Sequence, residues 1–182
     1  ILVVAPSNTA VDLLTERLDA AGIAVTRIGN PVKVSEHLQE LTLDSRIDRH
    51  SANKDIKSLQ KQVRTYTDMA QKYKRNFGKA ERDEAYRIRK DVDKIQDFIV
   101  MDILDRSQVI TATLVGANQD VIRNRRYETV VIDEAAQALE PACWIPILKA
   151  DKLVLAGDHC QLSPTVKSNK GMDNKLSNTL FE

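Results

Sequence analysis

Two adjacent carboxylates, Asp133 and Glu134, follow directly after the apolar run Val-Val-Ile. Further along, the apolar run Leu-Val-Leu-Ala leads through a glycine to Asp158 and then to Gln161. If both runs are strands of one parallel sheet, their carboxyl ends open onto the same edge, where nucleotides bind. There Asp133 can hold Mg²⁺ through a water, Glu134 can orient or deprotonate an attacking water, and Gln161 can reach a terminal phosphate without adding charge. The spacing therefore predicts half of an ATPase site.

A carboxylate pair at the end of a strand has a structural interpretation as well. Asp-Glu in that place often only begins a helix, because carboxylates are favoured at helix N-termini. The second strand, which ends in Gly157 and Asp158 at the distance of one crossover connection, favours the chemical interpretation.

The N-terminus carries a second group of small polar side chains. Residues 1–5 form an apolar run, and Ser7, Asn8 and Thr9 follow it where a helical pattern begins. Ser7 or Asn8 can cap that helix, which is the structural interpretation. The functional interpretation is a cluster of small donors at the end of a strand, suited to gripping a nucleic-acid phosphate with backbone N–H groups.

Four segments together resemble motifs of the superfamily 1 helicases, in their Upf-like group. Residues 5–12 (Ala-Pro-Ser-Asn-Thr-Ala-Val-Asp) resemble motif Ia, 130–137 resemble motif II and 153–164 resemble motif III. Residues 111–117 are similar to motif Ic. The resemblance extends nearly from end to end and implies a RecA-like P-loop NTPase domain.

For the nucleotide, the resemblance implies ATP and Mg²⁺ as cofactors. It gives Asp133 the position beside Mg²⁺, Glu134 the role of general base and Gln161 the role of γ-phosphate sensor. Asp158 is expected to couple this site to the nucleic acid.

For the partner, the resemblance implies single-stranded DNA or RNA, whose backbone Ser7, Asn8 and Thr113 contact. It also implies translocation in the 5′ to 3′ direction. No local pattern separates DNA from RNA, because the contacts to the 2′-hydroxyl leave no signature in the sequence.

No Gly-x-x-x-x-Gly-Lys-Ser/Thr sequence occurs in the chain, although P-loop enzymes use that Walker A loop to cradle phosphates. The chain opens without Met inside an apolar run and ends at Glu182. We therefore expect a piece of a longer ATP hydrolase that lacks the first strand, the Walker A loop and, in cis, the second RecA-like domain. By itself this piece is expected to be inactive.

The middle of the chain has a helical pattern. Apolar residues recur at spacings of three and four in two runs, which predicts one apolar stripe on each of two helices joined by a tight break at 76–79. The predicted organisation is a first part of a RecA-like domain at 1–44, an inserted antiparallel helical hairpin at 45–105, and a second part at 106–182. In Upf-like helicases the insertion at this place is called subdomain 1C.

Charge is concentrated in that helical region. Residues 53–97 contain thirteen Lys or Arg against eight Asp or Glu. Such a run can be a solvated helical face. The alternative is a path for a nucleic-acid backbone, lined near the tip by four basic residues: Lys72, Lys74, Arg75 and Lys79.

The alternation of elements predicts an α/β fold with a parallel sheet and right-handed crossovers. Strands are expected at 1–6, 24–29, 107–113, 128–133 and 152–157. Helices are expected at 8–21, 53–76, 80–104 and 138–149, with shorter ones within 33–50. A sheet without its first strand would have a gap or an open edge. Dimerisation or strand exchange is one expected way to cover it.

Composition sets the remaining limits. The net charge of +1 and the low aromatic content indicate no particular partner. No apolar run approaches the length of a membrane span. We expect a soluble intracellular protein, cytoplasmic in a bacterium and nuclear or cytoplasmic in a eukaryote.

Two other functions remain open from the sequence. The longer protein could be an ATP-driven switch that remodels nucleic-acid complexes without unwinding them, because fold and ATPase motifs do not fix the output. It could also be a degenerate ATPase module that serves as an interaction platform through the hairpin.

Overall fold

The computed structural model describes residues 1–72, 79–158, 160, 164 and 178–181, and it describes no side chains between 69 and 82. Its sheet has five strands in the order β2-β3-β1-β4-β5, and every neighbouring pair is parallel. This confirms the predicted α/β fold. The strands are β1 Leu2–Ala5, β2 Val25–Arg27, β3 Val109–Thr113, β4 Tyr127–Ile132 and β5 Ala150–Leu155.

The helices are α1 Asn8–Ala20, α2 Leu43–Arg49, α3 Asn53–Lys72, α4 Lys79–Arg106, α5 Asp120–Arg123 and α6 Glu140–Ile147. Short 3-10 turns occur at Pro31–Lys33, Glu36–Leu41, Gly116–Asn118 and Ala135–Gln137. The sequence did not predict α5 or the turns at 116–118 and 135–137, because segments this short have no measurable apolar period. The predicted tight break at 76–79 lies almost wholly outside the described residues.

The chain divides into two compact units. The first consists of Ile1–Leu43 and Arg106–Glu182 and contains the sheet. The second, Asp44–Asp105, consists of α2, α3 and nearly all of α4.

The core of the first unit surrounds β1, which lies in the middle of the sheet. Leu2 and Val4 are fully buried, and Val3 packs with Val109 of β3 and with Val25 of β2, the strand beyond β3. This burial on both faces explains why β1 is a continuous apolar run rather than an alternating one. Helix α1 is joined to β3 by a buried pair of hydroxyls, whose oxygens lie 2.8 Å apart: those of Thr15 and Thr111.

Strand β5 lies at the edge of the sheet. It pairs with β4 on one side, and within the described residues no other strand pairs with it. The apolar side chains of Leu153 and Val154 are 42% and 48% exposed. The apolar run predicted as a strand is therefore a strand, but it is not an interior one.

In the second unit both helices bury some residues of the predicted apolar stripes. Ile56 of α3 and Ile88, Val92 and Ile99 of α4 are buried, whereas most residues between them are exposed. The two helices line a shared groove of about 460 Å³. Within the part of the chain that the structure describes, no helix is both long enough and apolar enough to cross a membrane.

Candidate functional site at the carboxyl edge of the sheet

The strand register brings three strand ends together. Ala5 of β1 is aligned with Thr113 of β3, and Val4 of β1 is aligned with Ile132 of β4. Beyond these pairs the backbone continues the pattern, because Asp133 N donates a hydrogen bond of 2.8 Å to Val4 O. The predicted polar residues that follow β1, β3 and β4 therefore share one edge.

Asp133 and Glu134 form the turn after β4. Glu134 has φ 52° and ψ 38°, the left-handed region that residues other than glycine rarely adopt. It precedes the 3-10 turn Ala135–Gln137, but its side chain makes no capping hydrogen bond to that turn. The structural interpretation, a carboxylate that starts a helix, therefore does not describe Glu134. Backbone strain of this kind is concentrated at functional sites.

The turn after β5 packs directly onto the turn after β4. Ala135 N donates to Ala156 O at 2.8 Å, and Ala156 N donates to Ile132 O at 2.9 Å. A Cβ atom on Gly157 would lie only 3.0 Å from Ala136 N and 3.1 Å from Ala135 N. A side chain at 157 would therefore push the two turns apart by a few tenths of an ångström.

The three carboxylates at this edge differ in their partners. Asp133 is half-buried, and its carboxylate accepts no hydrogen bond within the described residues. Glu134 Oε2 accepts a hydrogen bond of 3.2 Å from Gln137 Nε2. Asp158 is exposed, and its Oδ1 accepts from Cys160 N at 2.9 Å. Gln161, the predicted phosphate sensor, lies outside the described residues.

A cleft of about 500 Å³ opens beside these turns. Its lining comes from the segments after β1, β3 and β4: Pro6, Asn8, Thr113, Leu114, Val115, Gln137, Leu139 and Ala142. Two residues predicted to contact nucleic acid, Asn8 and Thr113, are thus brought together in one cleft. Gln137, which the sequence did not single out, contacts Glu134 and also lines this cleft.

The hydroxyl oxygens near the cleft hold its walls in place. Ser7 Oγ accepts from Ala10 N at 3.1 Å and so caps α1, which is the structural interpretation of this residue. Ser7 does not line the cleft. Thr113 Oγ1 accepts from Gly116 N at 3.0 Å and fixes the turn after β3.

Behind Asn8 lies a buried arginine that sequence reasoning missed. The Arg27 side chain is fully buried, and its Nε donates to Asp12 Oδ1 at 3.1 Å. Burial lowers the pKa of Arg27, while the hydrogen bond and the charge of Asp12 act in the opposite direction. The available signal was an arginine in a short segment flanked by the apolar residues Val25 and Ile28, since buried charges are almost always paired.

The side chains of the basic residues predicted to bind nucleic acid on the second unit lie outside the described part of the structure. Lys74 and Arg75 lie outside the described residues. For Lys72 and Lys79 the structure describes the backbone alone: Lys72 is the last residue of α3 and Lys79 the first residue of α4.

Among the described residues, no group of three or more His, Cys, Asp or Glu side chains could hold a metal ion.

Comparison with known proteins identifies the family of this chain. The family model described as AAA domain matches residues 1–169. DNA polymerase alpha-associated DNA helicase A of Schizosaccharomyces pombe is 38% identical over 93% of this chain and 26% of its own length. DNA-binding protein SMUBP-2 of Mesocricetus auratus is 36% identical over 100% of this chain and 19% of its own length.

A third relative, regulator of nonsense transcripts 1 homolog of Drosophila melanogaster, is 31% identical over 100% of this chain and 14% of its own length. The chain thus spans about a quarter or less of each of these relatives. The described parts of the segments that resemble the helicase motifs lie at the carboxyl edge of the sheet. The chain belongs to the AAA domain family, in the Upf-like group of superfamily 1 helicases.

Proposed function

We propose that this chain is the part of an ATP-dependent helicase that joins the nucleotide site to the nucleic-acid strand, and that the whole protein translocates on single-stranded DNA or RNA. One observation carries the proposal: the Asp133–Glu134 turn and the cleft containing Asn8 and Thr113 lie at the same sheet edge. The names of two relatives, DNA polymerase alpha-associated DNA helicase A and DNA-binding protein SMUBP-2, support it.

For the nucleotide, Asp133 holds Mg²⁺ and Glu134 acts as general base toward the attacking water. An Asp133 carboxylate without a described partner suits a hard cation that takes oxygen ligands. Mg²⁺ usually keeps several waters and is bound through one or two carboxylates plus substrate phosphates. When bound, the ion neutralises charge on the phosphates. Gln161 contacts the γ-phosphate, and Asp158 helps to couple this site to the nucleic acid.

Gln137 is the proposed connection between hydrolysis and the strand. Its Nε2 donates to Glu134 Oε2, and the same residue lines the cleft. A nucleic-acid strand that binds in the cleft can therefore move Gln137. The movement of Gln137 would in turn change the orientation of the Glu134 carboxylate. The contact orients Glu134 and leaves its other oxygen, Oε1, available to a water.

For the nucleic acid, Asn8 and Thr113 contact the sugar-phosphate backbone from inside the cleft. Ser7 contributes through the cap that positions the start of α1. The second unit corresponds to the 1C-like insertion, and its basic residues contribute phosphate contacts of their own: Lys72, Lys74, Arg75 and Lys79. Phosphate contacts of this type bind without reading the sequence of bases.

The proposal is tested by separating binding from hydrolysis in the complete protein that contains this chain. Glu134→Gln should retain Mg-ATP binding and lower the steady-state ATPase rate by about 10²-fold or more, the range of a positioned general base. Asp133→Asn should instead weaken the Mg²⁺-dependent part of ATP binding. Glu128→Gln is the matched control, because this exposed residue lies at the opposite end of the same strand.

A normal ATPase rate in Glu134→Gln would show that Glu134 is not the base. A strand-separation assay with a labelled partial duplex then tests the output. ATP hydrolysis stimulated by single strands without strand separation would exclude the helicase and favour a remodelling switch.

A further inference from the structure

Asn8 is held by a buried network rather than standing alone in the cleft. The Arg27 guanidinium donates to three different acceptors: Asp12 Oδ1 at 3.1 Å, Asn8 Oδ1 at 3.0 Å and the carbonyl oxygen of Ile28. A planar guanidinium can serve all three at once, which the ammonium of a lysine cannot do with the same geometry.

The chemistry of arginine fixes the orientation of the Asn8 amide. Arginine has only donors, so its partner on Asn8 must be the carbonyl oxygen Oδ1. The amide nitrogen Nδ2, with its two N–H donors, therefore occupies the other branch of the side chain. Within the described residues Nδ2 has no acceptor, and Asn8 lines the cleft.

The guanidinium is itself fixed on its other sides. The second oxygen of Asp12, Oδ2, accepts from Ser35 N at 2.9 Å and from Ser35 Oγ at 2.8 Å. Asp12 is 6% exposed and Arg27 is 1% exposed, so water does not compete for these bonds. At Gly29 a Cβ atom would lie 2.9 Å from Arg27 Nη1, so the backbone of Gly29 closes the remaining side.

We propose that Arg27 is a positioning residue for nucleic-acid binding: it holds the Asn8 amide so that Nδ2 faces the cleft and donates to a phosphate oxygen of the strand. This inference rests on the proposed function of the cleft. Without Arg27 the amide could turn over and present its carbonyl oxygen to a phosphate, which repels it. The alternative is that the Arg27–Asp12 pair only stabilises the fold.

A double-mutant cycle in the complete protein separates these two roles. The probe is a fluorescently labelled 15-nucleotide oligothymidylate, with affinity measured by anisotropy at one fixed salt concentration and unfolding followed in parallel. Asn8→Ala should weaken binding about 10-fold, the scale of one hydrogen bond to a charged group. Arg27→Lys keeps the charge and should weaken binding about 5-fold, because Lys cannot reach Asn8 and Asp12 together. In the double variant the affinity should equal that of Asn8→Ala alone.

The outcomes distinguish the inference from the proposed function. Unchanged affinity in Asn8→Ala would remove Asn8 from the nucleic-acid site and contradict both. A second outcome is that Asn8→Ala weakens binding and that Arg27→Lys weakens it by the same factor whether residue 8 is Asn or Ala. That outcome would overturn the inference and leave the proposed function standing. Normal affinity in the single variant Arg27→Lys would also overturn the inference. If Arg27→Lys fails to fold, Gly29→Ala replaces it in the cycle, because it displaces the guanidinium without changing its charge.

The variant Asn8→Asp tests the role of Nδ2 independently, without changing Arg27. The new carboxylate keeps its acceptor toward Arg27, so thermal stability should be retained or raised, but it has no donor for a phosphate. Oligothymidylate affinity should therefore fall at least as far as in Asn8→Ala. Normal affinity in Asn8→Asp would overturn the proposed role of Nδ2.

Discussion

Single residues at the candidate site are constrained by backbone geometry as much as by their side chains. Glu134 occupies the left-handed region, and Gly157 packs against the amides of the two residues that follow Glu134. The position of the proposed base therefore depends on a contact between two turns that are distant in sequence. This makes Gly157 a residue whose substitution should affect chemistry.

Gly157→Ala should lower the ATPase rate of the complete protein by about 10-fold, because moving a base by a fraction of an ångström removes part of its contribution. The free energy of unfolding should fall by about 1–2 kcal/mol, because the alanine Cβ would press against the backbone nitrogens of Ala135 and Ala136. Gly22→Ala is the control: Gly22 has φ +76° and open space around it, so alanine costs about 1 kcal/mol there without touching the site. Equal ATPase rates in the two variants would argue against a positioning role for Gly157.

Tyr127 provides a residue-scale test of burial. Its hydroxyl is buried without a hydrogen-bond partner in the described structure, and desolvation raises its pKa from 10.0 to about 12. The folded protein thus holds the phenolic proton more tightly than the unfolded chain does. Stability from this group is fully present below pH 10 and is lost as the pH rises from 10 to about 12.

Tyr127→Phe should remove this pH dependence and leave neutral-pH stability unchanged or higher by about 1 kcal/mol, because it deletes an unsatisfied buried hydroxyl. The difference between the two proteins should grow by about 2 kcal/mol between pH 10 and 12. Chemical denaturation at pH 8, 10 and 11.5 measures it. A parallel loss in both proteins would assign the alkaline instability to other groups.

At the scale of elements, the long regular segments and the strand ends could be predicted from sequence. Segment 1–5 is apolar throughout because β1 is buried on both faces, and the spacing of Ile88, Val92 and Ile99 indicates the buried side of α4. The Arg27–Asn8 and Gln137–Glu134 contacts could not be predicted. The first joins a strand to a helix, and the second depends on a turn with an unusual backbone conformation.

The attachment of α1 to the sheet can be tested through its buried hydroxyl pair. Thr15 Oγ1 donates to Val11 O at 2.7 Å and therefore accepts from Thr111 Oγ1. Thr15→Val should cost about 1–3 kcal/mol, because the Thr111 hydroxyl loses its acceptor in a buried place. The double variant Thr15→Val/Thr111→Val should recover most of this loss, since no buried donor is left unpaired. Additive losses in urea unfolding would contradict the proposed pairing.

At the scale of the whole molecule, one side of β5 pairs with no other strand within the described residues. Leu153 and Val154 are nearly half-exposed there, although they lie in a strand of the central sheet. An exposed apolar edge strand offers unpaired N–H and C=O groups to any other strand. We therefore propose that the 182-residue chain, when purified by itself, associates through this edge.

The expected result is a species with twice the chain mass of 20.5 kDa in light scattering coupled to size exclusion, with a fraction that rises with protein concentration. Leu153→Lys combined with Val154→Lys should shift the population to the monomer, because charged side chains prevent pairing at sheet edges. Leu148→Lys is the control, since Leu148 is 70% exposed but lies outside the strand. Its mass distribution should match that of the unsubstituted chain. Monomer at every concentration, or equal effects of the β5 and Leu148 substitutions, would show that the β5 edge is not the associating surface.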